Sequence, residues 1–150
     1  LATQSDYADS PLDYSANFYS LRADLKVAPA TFTVGHEVLG SDNGRVGFKT
    51  PLATLHKFQG WSDKFLGTPA AGLQDTYIGV KGKIGQVTAN LVWHTYRADE
   101  GSADFGDEVN LALNYPFNER ISFQLKASEF NSDTFATDTT KFWLTSTFKL

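Results

Sequence analysis

The chain has no cysteine and no methionine. Without thiols there is no disulfide scaffold, no thiolate zinc site and no cysteine nucleophile. It also lacks any apolar run approaching the roughly 18 residues that a membrane helix requires, which excludes a helical membrane protein. That absence leaves membrane strands open, because each needs only about 9 to 11 alternating residues. Positive charge is sparse and scattered, with 13 Lys plus Arg against 17 Asp plus Glu. Nothing in it forms a nucleic-acid footprint. The sequence starts at Leu1 with no Met and no charged-then-apolar leader, so the expectation is an N-terminus that is missing or was processed away.

What the chain does have is alternation. Leu, Ile, Val and Phe make up about a quarter of the 150 residues, enough to support ordered structure. They recur with period two, as in strands with unlike faces. In Ser15–Val27, Tyr19, Leu21, Leu25 and Val27 oppose Arg22, Asp24 and Lys26. Thr31–Gly40 sets Phe32, Val34, His36 and Val38 against Glu37 and its neighbours. Further strands are expected over Leu73–Lys83, Gln86–Arg97, Phe105–Tyr115, Arg120–Phe130 and Lys141–Leu150. That makes about seven, antiparallel if every turn is a hairpin. Bacterial single-chain barrels close with an even number of strands, so either Leu1–Leu12 holds a poor eighth strand or more strands lie upstream of Leu1; the second is favoured, because Gln4-Ser5-Asp6 and Asp9-Ser10-Pro11 read as loop.

Connection lengths alternate as well. The links at Val27–Ala30, Lys83–Gly85 and Pro116–Asn118 are short, while residues 41–72, 98–104 and 131–139 form longer polar links. Short turns at one end and long loops at the other are the habit of outer-membrane barrels. In the longest loop, Thr50-Pro51 followed by Gly60 has the cap, N1 proline and terminal glycine of a short helix. A loop this long is usually functional, and the expectation is that it packs on or into the barrel mouth.

The segments Val46–Leu66, Gly72–Tyr77 and His94–Ser102 resemble outer-membrane porins of the alginate-export family of Gram-negative bacteria. The resemblance runs from about Ser15 to Leu150 and corresponds to the C-terminal part of such proteins. It implies an all-β fold, an antiparallel up-and-down transmembrane β-barrel of which residues 1–150 form one segment of a single domain. It also implies residence in the bacterial outer membrane and passive passage of small, anionic or saccharide solutes. The arginine-rich lumen of the exporters is not matched, because only Arg22, Arg45, Arg97 and Arg120 are present. The ending Leu144, Phe148, Leu150 is similar to the strand read by barrel-assembly machinery, with Leu in place of the usual Phe.

On this reading the channel-lining residues are Arg22, Asp24, Lys26, Glu37, Lys81, His94, Glu108, Asn110, Arg120, Lys126 and Lys149. Lys26, Lys81, Arg120 and Lys149 fall near the short-turn end, while Glu37, Asp75 and Glu108 fall near the long-loop end. Lys49, His56, Lys57, Trp61 and Lys64 are the candidates for a constriction loop. Trp93, Phe105 and Phe142 are expected in an outer aromatic girdle, and Phe32, Tyr115 and Phe148 in an inner one. Asp99, Glu100 and Asp104 are weak calcium candidates whose spacing does not match an EF-hand. No nucleophile and base can be paired, so no enzyme activity and no cofactor are expected. The alternative from another class is a small soluble β-barrel or sandwich that binds a ligand inside. There the same apolar face would be a core.

Overall fold

The computed structural model describes residues 1–5, 13–50, 56 and 58–149. Ten strands are present among them: β1 (Ala2–Ser5), β2 (Ser15–Val27), β3 (Ala30–Leu39), β4 (Ser41–Asp42), β5 (Val46–Gly47), β6 (Leu73–Ile84), β7 (Val87–Arg97), β8 (Asp104–Pro116), β9 (Ile121–Ser132) and β10 (Thr139–Phe148). Eight form one antiparallel sheet in the order β1-β2-β3-β6-β7-β8-β9-β10, and β4-β5 is a separate two-stranded ribbon. Sequence neighbours pair throughout the large sheet, as the hairpin reading requires. The sheet is open, with β1 and β10 as its edges.

Three element assignments differ from the sequence-based expectations, in addition to the place of Phe105. First, Gln4 and Ser5 belong to an eighth strand rather than to a loop. Four residues show no alternation to read. β1 is held instead by its ladder to β2 and by the Gln4 amide, whose oxygen accepts the Lys49 N–H at 2.7 Å while its nitrogen donates to the Lys49 carbonyl at 3.4 Å. Second, no helix occurs among the described residues. Most of the expected helix, residues 51–55 and Lys57, lies outside them. Its end does not continue one, because His56 and Gln59 have φ of 55° and 50°, in the left-handed region. Third, Arg120 and Lys149 lie just beyond β9 and β10, where the Lys149 N–H donates to the Arg120 carbonyl at 2.9 Å. Leu150 lies outside the described residues.

Register assigns the faces. Directly opposed residues share a face, so Ala23↔Val34, Val34↔Ile78, Ile78↔Trp93 and Trp93↔Val109 form one apolar row, and Glu37↔Asp75, Tyr77↔His94 and His94↔Glu108 lie on the other side. The apolar face is uncovered: Leu21, Phe142 and Leu144 are 71%, 72% and 76% exposed. The polar face is covered at the long-connection end by His56 and residues 58–72. Beneath this cover lies the aromatic core, in which Phe65 touches Tyr96 (4.6 Å between ring centroids), Phe105, Phe130 and Phe135, with Leu39 and Leu73 alongside.

Phe105 belongs to this core, not to the apolar girdle. The register slips between Tyr96 and Arg97, which pair with Gly106 and Asp104, so Phe105 is the extra residue of a bulge. Gly106 carries the bulge at φ 118°, and a Cβ there would collide with the Asn131 carbonyl oxygen. Gly106→Val should therefore expel Phe105 from the core and lower stability by about 2–4 kcal/mol, read as a fall in the denaturant midpoint; an unchanged midpoint would show that the bulge is not needed.

Candidate functional site

The site is the polar face together with the strap that crosses it, His56 and residues 58–66. Its centre is Glu108 on β8, fully buried. One carboxylate oxygen accepts the backbone N–H groups of Trp61 and Ser62, the latter at 3.0 Å, and the Ser128 hydroxyl at 3.3 Å. Ser62 and Ser128 also share a hydroxyl contact. Charge-assisted donors offset the burial of this oxygen, while the second carboxylate oxygen has no hydrogen-bond partner among the described residues. The backbone reaches it because residue 60 is glycine. Gly60 has φ 74°, and a Cβ there would overlap the Tyr96 hydroxyl and the Glu108 carboxylate.

On the β9–β10 side the strap is held by cations and rings. Lys126 Nζ sits 4.0 Å from the Trp61 ring centroid and 5.4 Å from that of Trp143. It also donates to His56 Nδ1 at 2.7 Å. An ammonium only donates, so that Nδ1 accepts and the imidazole proton sits on Nε2, which faces Asp63 at 3.7 Å. Asp63 in turn accepts from Lys141 at 3.0 Å, and Lys64 donates to Thr139 at 2.7 Å.

On the β3–β7 side the chemistry is acidic. Glu37 and Asp75 face each other across β3 and β6, both nearly inaccessible. The Gln59 amide donates to Glu37. His94 Nδ1 lies 2.8 Å from Asp75; an ionised carboxylate only accepts, which places the proton on that nitrogen. Between strap and strands is a cavity of about 390 Å³, bordered by Glu37, Asp75, Tyr77, His94, Gln59 and Trp61 among others. Tyr77 lies flat across the strand because its partner is Gly35, where a Cβ would penetrate the phenol ring.

The sequence-derived candidates distribute as follows. Glu37, His94, Glu108, Asn110 and Lys126 gather beneath or beside the strap. Arg22 pairs with Asp24 at 2.9 Å at the edge of the group, and Lys26 and Lys81 lie further toward the short-turn end with Arg120 and Lys149. Among the strap candidates, His56, Trp61 and Lys64 contact the sheet, Lys49 is bound through its backbone to Gln4, and Lys57 lies outside the described residues. The acidic trio does not converge. Asp99 accepts from the Ser41 N–H and the Gln74 amide, and Asp104 accepts from the Gly106 N–H and faces Arg97 at 3.6 Å. No three acidic or imidazole groups among the described residues are arranged to hold a metal. Gln59, Ser62, Asp63, Tyr96, Ser128, Lys141 and Trp143 were not singled out from the sequence, and Gly60 was marked only as a helix end. Strand parity already put Tyr96, Ser128, Lys141 and Trp143 on the polar face, but nothing local marked which of them the strap would meet.

If the Glu108 contacts hold the strap down, Glu108→Ala and Gly60→Ala should each cost about 2–3 kcal/mol and shift tryptophan emission to the red as Trp61 leaves Lys126; a variant with native emission and stability would contradict this anchoring. No protein-family model, no curated protein and no solved structure matches the chain.

Proposed function

We propose that the chain is a segment of an outer-membrane porin, a passive channel wall with no enzymatic step and no cofactor. The observation that carries this reading is the inverted polarity of the sheet. Its uncovered face carries the exposed Leu, Val, Ile and aromatic side chains, with His36, Thr76, Thr95 and Asp107 toward the long-connection end, while carboxylates, histidine and asparagine are buried on the other face. In water the exposed apolar field would drive association; against lipid it is the expected outer surface of a barrel, with polar residues turned to the lumen. Trp93 and Phe142 near the long-connection end, and Phe32, Tyr115 and Phe148 near the short-turn end, fit two interfacial girdles.

The open edges support the rest of the assignment. β10 offers ten residues of unpaired backbone on one side, which hydrocarbon does not tolerate. On this reading further strands close the sheet into a larger barrel, folded by the barrel-assembly machinery of the bacterial outer membrane. The strap then lies inside the lumen and narrows it. Lys26, Lys81, Arg120 and Lys149 at the short-turn mouth favour small anionic or saccharide solutes there, and the resemblance to alginate-export porins points to the same class.

Planar-bilayer recordings of the complete barrel test this. Stepwise conductance is expected, and replacing Lys126 and Arg120 with Glu should move the reversal potential toward cation selectivity. Recovery of the protein from the soluble fraction without detergent, or the absence of conductance in the correctly folded barrel, would overturn the porin reading.

A further inference from the structure

The cavity beneath the strap has a charge arrangement that wall-building alone does not explain. Glu37 and Asp75 are directly opposed on neighbouring strands, 5% and 2% exposed. Like charges in that position repel, and the repulsion grows as water is excluded. Their protein partners offset it only in part. Gln59 and Ser20 bring Glu37 only neutral donors, and His94 hydrogen-bonds Asp75 and acts on Glu37 only at a distance. The arginine at the cavity border, Arg22, is gripped by Asp24 through two hydrogen bonds of 3.0 and 2.9 Å. No cationic side chain contacts Glu37 among the described residues.

The walls supply the complementary half of a recognition site. The Tyr77 ring is held across Gly35, and Phe58 and Trp61 descend from the strap. A cavity of about 390 Å³ is the size that holds a small organic molecule. Two carboxylates at one end and aromatic rings around the sides bind a positive nitrogen through charge-assisted hydrogen bonds and through the ring quadrupoles.

From this juxtaposition we propose that the cavity binds a small protonated organic amine, its ammonium group held by Glu37 and Asp75 and its carbon skeleton laid against Tyr77 and Trp61. The site would act as a retention point at the acidic, long-connection end of the wall. The access of the amine through a lumen rests on the porin reading, whereas the binding itself does not.

The test uses n-butylammonium as the probe, with n-butanol and butyrate as uncharged and anionic isosteres, on the complete protein in detergent micelles. Tryptophan emission should change saturably with n-butylammonium and not with either isostere. Combining Glu37→Gln with Asp75→Asn should weaken binding at least about tenfold, as expected for losing a charge-assisted contact. If the double variant does not fold, the isosteric Glu37→Gln alone should still weaken binding severalfold. Equal responses to the amine and n-butanol, or unchanged affinity in a folded variant, would overturn the proposal. Bilayer recordings separate the two readings: amine binding without any conductance rejects the porin and keeps the site, while conductance insensitive to n-butylammonium rejects the site and keeps the porin.

Discussion

The buried carboxylate of Glu108 is the point on which strap and sheet depend together. Left bare on the polar face it would be an unpaired charge out of water, and the strap backbone without it would present two unsatisfied N–H groups. Each supplies what the other lacks. The meeting is possible only because Gly60 brings the main chain closer than any side chain would allow. Once residues 60–62 are fixed there, Phe65 is delivered into the aromatic core and His56 and Trp61 are delivered to Lys126.

This arrangement explains why the hydrophobic core sits at one end rather than across the sheet. A single sheet with one apolar and one polar face normally buries the apolar face. Here the apolar face stays uncovered, and among the described residues the buried hydrophobic cluster is the one around Phe65, between the strap, the ends of β3 and β6 to β9, and the connection after β9. On the porin reading the missing cover is lipid. The cluster then serves to hold the strap rather than to hold the sheet, whose strands are retained by their ladders.

The strap also divides the polar face by charge. From β3 to β7 it covers Glu37, Asp75 and His94; over β9 and β10 it rests on Lys126 and Lys141. A field directed across the sheet results, in addition to the lysines and arginines at the short-turn end. The amine site and the basic short-turn end are therefore parts of one charge pattern, separated along and across the wall.

The ladder β2-β3-β6-β7-β8-β9-β10 was legible from residues alone, because period two is a local property and each strand writes its own faces. Tyr19 to Val27, or Val87 to Tyr96, need no partner to be read. Turns at Pro29, Gly85 and Asn118 were equally local. β1 was not legible, since four residues carry no period, and its place is set by Asn17 and Lys49 far along the chain. The inward turn of Phe105 escaped for a related reason: alternation assigns it outward, and only the slipped pairing of Tyr96 with Gly106 reverses it. By itself the sequence determined the seven long strands and which of their faces is polar, because both follow from neighbours in the chain. Tertiary structure alone decided that Gln59 meets Glu37, that Trp61 meets Lys126 and that Glu108 receives the strap, because those contacts join residues 22 to 65 positions apart and depend on where a long connection folds back.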